Sequence, residues 1–152
     1  MEKYLSSEDA KIVKMTGRAF KAFGTEIAEA TYARLALDPE GHSLFTQFRP
    51  DLPGRAERFG GEMFAVAENI DRLNLISDLL DRIAHRHLAE GWTPDQYPVV
   101  LKAMLPAIRD VLGEGASDRV LDAWREGYWR FVGQLLEKQD AIRRKFGVAR
   151  AA

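Results

Sequence analysis

Residues 71–91 read Asp-Arg-Leu-Asn-Leu-Ile-Ser-Asp-Leu-Leu-Asp-Arg-Ile-Ala-His-Arg-His-Leu-Ala-Glu-Gly, and their apolar side chains recur with helical spacing. One face of the predicted helix carries Ile76, Leu79, Leu80, Ile83 and Ala84. Four residues beyond Ile83 this face reaches His87, whereas His85 lies about 200° away around the helix. The pattern therefore predicts that His87 points into the interior, that His85 faces water, and that Gly91 ends the helix.

An inward-pointing neutral imidazole has two common explanations. It is either a core histidine with a hydrogen-bond partner or a ligand of a transition metal, for which neutral imidazole is the commonest protein donor. The helix alone favours the first explanation. The choice therefore depends on what the rest of the chain brings near His87.

The composition bounds the class of protein. The chain has 152 residues, enough for one domain with a large core. Its net charge of -1 gives no general attraction for nucleic acid, and the absence of cysteine excludes disulfides and zinc-finger sites. The N-terminus lacks the apolar region of a signal peptide, and no apolar run is long enough to span a membrane. These features predict one cytoplasmic domain that binds neither nucleic acid nor membrane.

Helical patterns cover most of the chain, and strand patterns are nearly absent. The first helix is expected to begin at Ser6 or Ser7, ahead of two acidic residues. Gly24 is expected to interrupt it, so that a second helix carries Tyr32. Capping residues and prolines indicate later helix starts at Asp38-Pro39, Pro53, Thr93-Pro94 and Ser117. About seven helices, some of them short, predict an all-α domain that is too irregular for a simple four-helix bundle.

Three later helices carry clear apolar faces. The helix after Pro53 presents Ala56, Phe59, Gly60, Met63, Val66, Ala67 and Ile70. The helix that runs towards Leu112, expected to bend at Pro106, presents Tyr97, Val100, Leu101, Met104, Leu105 and Ile108. The last helix presents Leu121, Trp124, Tyr128, Phe131, Leu135, Gln139 and Ile142. The basic tail, residues 143–152, is interpreted as complementing the negative end of that helix.

Several short motifs, taken in order, resemble the globin domain of flavohaemoglobins and the related single-domain bacterial haemoglobins. They are Thr-Tyr-Ala-Arg-Leu around Tyr32, Ser-Leu-Phe ending at Phe45, Arg-Ile-Ala-His-Arg-His ending at His87, Pro-Asp-Gln-Tyr ending at Tyr97 and Leu-Asp-Ala-Trp ending at Trp124. The resemblance runs from about residue 6 to 142. It implies a globin fold of seven to eight helices around a haem b pocket, with the whole chain, 1–152, as a single globin domain.

The resemblance implies a role for each matching residue. His87 resembles the proximal ligand of haem iron, with Tyr97 close behind it. Tyr32 matches the distal tyrosine whose hydroxyl reaches a ligand of the iron, and Phe59 lies at an apolar distal position. Phe45 matches the aromatic side chain that packs against the porphyrin. The full set of expected haem-pocket residues is Phe45, Arg55, Arg58, Phe59, Met63, Ile83, His87, Tyr97 and Gln139.

Several assignments stay open at this stage. Arg55 reaches the haem propionates, reaches the bound ligand or faces water, and Arg58 competes for the propionate role. His42 is expected at the surface, and Trp92 and Trp124 are expected to be structural. Small residues, Ala28 and Ala56, are expected to let the Tyr32 helix cross the Phe59 helix closely.

The sequence departs from the flavohaemoglobin pattern in four places. The link between Tyr32 and Phe45 is one residue shorter, and Arg55 stands where the family often has glutamine or histidine. Gln139 replaces the proximal glutamate, because nearby Glu137 falls on the opposite helix face. The chain is also expected to lack flavin and NAD domains.

Three functions remain open. The first and favoured one is reversible binding of dioxygen or another diatomic gas, including nitric oxide and carbon monoxide, for storage, delivery or sensing. The second is nitric oxide dioxygenation, which yields nitrate and would need a separate reductase as electron donor. The third is a haem-free, globin-like interaction domain. The oligomeric state stays open.

Overall fold

The computed structural model describes residues 5–47 and 49–147. In this part of the chain there are six α-helices, three short 3₁₀ helices and no strand. The α-helices are α1 (Ser7–Leu37), α2 (Gly41–Gln47), α3 (Arg55–Glu68), α4 (Ser77–Ala89), α5 (Tyr97–Leu112) and α6 (Asp118–Lys145). The 3₁₀ helices are Leu73–Ile76, Pro94–Gln96 and Gly113–Gly115. The predicted all-α class is confirmed, with slightly fewer helices than expected.

Helix α1 explains the lower count, because the two predicted N-terminal helices form one. Ser6 caps it, since its hydroxyl accepts a hydrogen bond of 3.0 Å from the Asp9 amide. The interruption expected at Gly24 is present one residue earlier, as a kink and not as a complete break. The backbone leaves the helical region at Phe23, where φ is -127° and ψ is 17°, and helical structure then continues to Leu37.

Gly24 also has a packing role. A Cβ on Gly24 would lie 3.0 Å from the Cα of Gly60, and a Cβ on Gly60 would lie 2.6 Å from the carbonyl carbon of Gly24. Helices α1 and α3 therefore approach closely at this glycine pair, while the role expected of Ala28 and Ala56 stays a prediction. Glycine is required because any side chain would meet the backbone of the other helix.

The connections on either side of α2 are short turns. The Asp38 carboxylate accepts a 2.8 Å hydrogen bond from the Glu40 amide, and α2 begins only at Gly41. Pro39 therefore precedes α2. The sequence had indicated, wrongly, that Pro39 occupies the first turn of this helix. Helix α3 begins after Gly54, whose φ of 82° is readily adopted by glycine.

Helix α4 carries His87 and is held at both ends. At its start, the Lys138 ammonium on α6 lies 2.8 Å from Asp81 and donates a 2.8 Å hydrogen bond to Ser77. At its end, Gly91 has a φ of 81°, which agrees with the predicted glycine stop. The chain then turns back so that the Trp92 amide donates to the His87 carbonyl at 2.9 Å.

The remaining helices complete the core. Helix α1 packs against α2, α3, α5 and α6, while α4 packs against α6. Thr93 and Gln96 form a capping box ahead of α5, which continues as a helix through Pro106. Ser117 caps α6, whose last turn is basic, and residues 148–152 of the tail lie outside the described residues. Within the described ranges, no helix combines the length and apolarity needed to cross a bilayer.

Candidate ligand pocket

A cavity of about 740 Å³, including its open mouth, lies between α1, α3 and the three helices that follow α3. Its apolar wall consists of Leu35, Phe59, Met63, Ile83, Val100 and Phe131. Hydroxyl, indole and imidazole groups are contributed by Thr31, Tyr32, His87, Trp92, Tyr97 and Tyr128. Charged residues surround the mouth, namely Arg55, Arg58, Glu62, Arg86 and Glu90. The cavity is thus an apolar slot with few polar groups and a charged entrance.

His87 lines this cavity from α4, whereas His85 is exposed on the other side of the helix, as predicted. The Nδ1 atom of His87 lies 2.9 Å from the Tyr97 hydroxyl oxygen. Its ring stacks on Trp92, with centroids 4.5 Å apart and planes 14° from parallel. Burial lowers the pKa of His87 to about 3, and the nearby guanidinium groups of Arg86 and Arg58 act in the same direction. The imidazole is therefore neutral and fixed in orientation.

A second layer of contacts holds Tyr97. The Gln139 amide nitrogen donates a 3.0 Å hydrogen bond to the Tyr97 hydroxyl, and the Tyr128 hydroxyl donates at 2.7 Å to the Tyr97 carbonyl. Gln139 is only 1% exposed, whereas Glu137 is exposed. Burial raises the pKa of Tyr97 to about 12, although the Gln139 hydrogen bond acts in the opposite direction. Tyr97 therefore keeps its proton at neutral pH and connects α4 to α6.

Tyr32 lines the same cavity from α1. Its hydroxyl donates to the Arg55 carbonyl at 3.4 Å, and its ring centroid lies 6.0 Å from that of Phe59. Burial raises the pKa of Tyr32 to about 12, while the positive charges of Arg58 and Arg55 oppose the shift. The hydroxyl is therefore protonated and able to donate a hydrogen bond inside the cavity.

Ion pairs bridge α3 and α4 across the mouth. The Arg86 guanidinium lies 2.6 Å from the Glu62 carboxylate and 3.8 Å from that of Glu90. The Arg55 guanidinium extends this series of ion pairs, because it lies 3.3 Å from the Glu90 carboxylate. Arg58 lines the same mouth but forms no ion pair with any described residue, and burial together with Arg86 and Arg55 lowers its pKa. The mouth thus carries one uncompensated positive charge.

The structure brings eight of the predicted pocket residues to the cavity, namely Tyr32, Arg55, Arg58, Phe59, Met63, Ile83, His87 and Tyr97. Phe45 is half-buried on α2 and is not among the residues that line the cavity, and Gln139 lies behind Tyr97.

Sequence reasoning missed the stacking of Trp92 on His87, because it assigned Trp92 a structural role. It also missed three charged residues, Glu62, Arg86 and Glu90. Their signal was present: Arg86 and Glu90 are four residues apart, and Glu62 lies two turns beyond Arg55 on one face of its helix.

The residues present fit a haem. In the described part of the chain, no group of three or more histidine, cysteine or acidic residues could hold a metal ion by itself. A haem needs only one protein nitrogen for its iron and a dry slot for its ring. His87 supplies such a nitrogen, because Nδ1 is engaged by Tyr97 while Nε2 has no hydrogen-bond partner among the described residues.

Comparison with known proteins agrees with this geometry. A flavohemoprotein from Xylella fastidiosa (strain 9a5c) is 35% identical over 145 residues, which make up 95% of this chain and 36% of that protein. The chain therefore spans about a third of the length of this relative. A carbene transferase engineered from a protein assigned as a nitric oxide dioxygenase of Rhodothermus marinus superposes with a TM-score of 0.82 and 26% identity, covering 95% of this chain and 99% of that one.

A bacterial globin from Campylobacter jejuni supports the fold, with a TM-score of 0.81, 18% identity, and coverage of 91% of this chain and 99% of that one. The family model for globins matches residues 28–135. This match covers most of the chain, including the three tyrosines and the histidine of the cavity. The chain therefore belongs to the globin family.

Proposed function

We propose that this globin binds dioxygen or another diatomic gas reversibly, for storage, delivery or sensing. Haem b supplies the iron that binds such gases, and we assign its protein ligand to Nε2 of His87. The observation that carries the proposal is the neutral, oriented imidazole in an apolar cavity that the protonated hydroxyl of Tyr32 also lines. We further propose that residues 1–152 form one globin domain with a core of about residues 6–142.

Each side chain of the cavity has a distinct task in this proposal. Tyr32 donates a hydrogen bond to the gas, and Phe59 keeps water away from it. Arg58, which has no ion pair among the described residues, and Arg55 supply positive charge for the haem propionates. Met63 and Ile83 provide apolar contact with the porphyrin. Phe45 does not line the cavity, so in this proposal it packs against the edge of the porphyrin from outside the cavity wall.

Gln139 favours gas binding over oxygen chemistry. The resemblance to flavohaemoglobins implies a glutamate in this place, and a carboxylate would draw the imidazole proton and make the iron ligand more electron-rich. An amide is neutral, and here its nitrogen donates to the Tyr97 hydroxyl, so it does not draw a proton away from the imidazole. The buried contact between Gln139 and Tyr97 therefore supports an ordinary neutral imidazole as ligand.

Nitric oxide dioxygenation is the alternative, and the flavohemoprotein relatives favour it. In that reaction dioxygen and nitric oxide yield nitrate, and an electron donor is needed for every turnover. We propose that a separate reductase would supply those electrons and that the protein works in the cytoplasm.

One series of measurements tests these proposals. The purified protein should show a Soret band and bind dioxygen reversibly in the ferrous form. Absence of the Soret band would favour the third function, a haem-free interaction domain. Adding a reductase and nitric oxide should give only slow nitrate formation. Gln139→Glu should raise the iron–histidine stretching frequency and lower the reduction potential. A high iron–histidine stretching frequency in the wild type, or rapid nitrate formation, would instead favour nitric oxide dioxygenation as the function.

A further inference from the structure

The indole ring of Trp92 lies flat against the imidazole of His87. The chain reverses at Gly91, whose φ is 81°, and the Trp92 amide then donates to the His87 carbonyl at 2.9 Å. The two ring centroids are 4.5 Å apart and the ring planes differ by 14°. Trp92 is only 8% exposed, so its indole is enclosed by protein. The turn after α4 thus contacts His87 with both its backbone and a side chain.

The neighbours of His87 determine the plane of its ring. The torsion that turns an imidazole joins an sp³ carbon to an sp² carbon, and its energy wells are broad. Rotation of the His87 ring would break the 2.9 Å contact between Nδ1 and the Tyr97 hydroxyl, and it would also break the parallel stack on Trp92. Tyr97 meets one edge of the imidazole, whereas Trp92 covers a face. The stack therefore adds a restraint on the ring plane that the edge contact alone does not supply.

Helix α2 anchors the turn that carries Trp92. The amide of Gln47, the last residue of α2, donates to the Glu90 carbonyl at 2.9 Å and accepts a 2.9 Å hydrogen bond from the Gln96 amide. The oxygen of Gln96 accepts in turn from the Thr93 backbone N–H at 3.0 Å. The backbone carbonyl can only accept and the backbone N–H can only donate, so these two ends fix the direction of every bond. The turn is therefore held on both sides of Trp92.

We propose that Trp92 and Gln47 are positioning residues for His87. Trp92 holds the plane of the imidazole by stacking, and Gln47 holds Trp92 by anchoring its turn to α2. The hydrogen bonds of Gln47 to described residues all go to the turn and the 3₁₀ helix after it, so the influence of Gln47 on His87 passes through Trp92. The role of this imidazole as iron ligand rests on the proposed function, whereas the stacking and the anchor do not.

Hydrogen exchange in the haem-free protein tests the role of Trp92. The proton between Nδ1 of His87 and the Tyr97 oxygen reports the ring plane, whichever group carries it, because it exchanges with water when that contact opens. Trp92→Leu keeps an apolar side chain but removes the flat ring. Exchange should accelerate about two- to tenfold, as loss of an aromatic pair predicts. Trp92→Phe, which keeps a flat ring, should exchange much more slowly than Trp92→Leu.

Water-saturation transfer in ¹H NMR measures this exchange, and Tyr97→Phe identifies the resonance by its loss. An unchanged rate in Trp92→Leu would overturn the role of Trp92. Equal acceleration in Trp92→Phe and Trp92→Leu would also overturn it, because the indole would then act by filling space and not by stacking.

A double-mutant cycle tests the connection from α2. Gln47→Met keeps the length of the side chain but removes its amide hydrogen bonds, so the same proton should exchange faster than in the wild type. Combined with Trp92→Leu, it should add nothing, because Gln47 acts through the indole. Thr46→Ala is the matched control on α2, since the Thr46 hydroxyl donates to the Ser43 carbonyl of the same helix. Additive effects, or no effect of Gln47→Met, would refute the connection.

The haem-bound protein gives a separate readout. With cyanide bound to ferric iron, the plane of the coordinating imidazole determines the spread of the haem methyl resonances in ¹H NMR. This spread should change in Trp92→Leu and remain as in the wild type in Trp92→Phe. An unchanged spread in Trp92→Leu would show that the ring plane does not depend on Trp92. If the wild type develops no Soret band, the haem proposal fails, while proton exchange in the haem-free protein still decides the roles of Trp92 and Gln47.

Discussion

The two walls of the cavity are built differently. On the α4 side, His87 is held by a 2.9 Å contact to Tyr97 and by stacking on Trp92, and Tyr97 is held in turn by Gln139 and Tyr128. On the α1 and α3 side, the Tyr32 hydroxyl makes a longer hydrogen bond of 3.4 Å to the Arg55 carbonyl.

This difference suits the tasks that we propose for the two walls. A permanent metal ligand gains from a fixed ring and a fixed partner, because each contact lowers the cost of ordering it. A residue that binds a transient gas must be able to exchange one hydrogen bond for another, so a long and weak bond suits it. Under the proposed function, the histidine wall serves permanent binding and the tyrosine wall serves exchange.

The largest effect should come from the fixed wall. His87→Ala removes the proposed iron ligand and should abolish stable haem binding, with partial recovery on adding imidazole. His85→Ala, two residues away on the exposed face, is the matched control and should keep its haem. Haem content is measured from the Soret absorbance per protein. Loss of haem in the control alone would reverse the assignment of the two faces.

The exchangeable wall should respond differently. Tyr32→Phe preserves packing and deletes a hydrogen bond to a charged acceptor that is worth roughly 1.5–3 kcal/mol. Dioxygen dissociation should accelerate by about ten- to a hundredfold. Stopped-flow dissociation of carbon monoxide, a poorer acceptor, should change much less. Equal acceleration for both gases would show that Tyr32 acts by shape alone.

The crossing of α1 and α3 supports the tyrosine wall and can be tested separately. Gly60→Ala forces a Cβ to within 2.6 Å of the Gly24 carbonyl carbon, and such overpacking costs about 1–3 kcal/mol of unfolding free energy. Gly61→Ala is the matched control, because nothing lies within 4 Å of its added Cβ. The control should gain about 0.5–1 kcal/mol from better helix propensity. Urea denaturation of both variants provides the measurement, and equal stabilities would argue against the close crossing.

The histidine wall should also make the haem-free protein sensitive to acid. The pKa of His87 is about 3 when folded, below its ordinary value of about 6.5 when unfolded. Between these values the unfolded chain binds a proton that the folded chain does not, so stability falls as the pH falls.

The slope from this one group approaches about 1.4 kcal/mol per pH unit at most. Urea denaturation at pH 7 and pH 5 should therefore show a smaller loss in His87→Gln than in the wild type, by about 1–2 kcal/mol. An identical loss in both proteins would mean that His87 is accessible to water when folded.

Much of the site could be predicted from the sequence because helical periodicity reports burial. The apolar spacing after Ile76 placed His87 inward and His85 outward, and the same reasoning put Gln139, rather than Glu137, on the buried face of α6. Helix ends at Ser6, Gly91 and Ser117 followed from capping chemistry, which acts over three or four residues. These features depend only on neighbours in the chain.

Contacts between helices depended on the tertiary structure. Periodicity says which face is buried but not which residue of another helix lies opposite, since that depends on crossing angle and register. The Gly24–Gly60 crossing, the stacking of Trp92 on His87 and the ion pairs from α3 to α4 arise at such crossings. The direction of the Tyr97–Gln139 hydrogen bond is of the same kind, because it requires two side chains 42 residues apart to meet in one buried place.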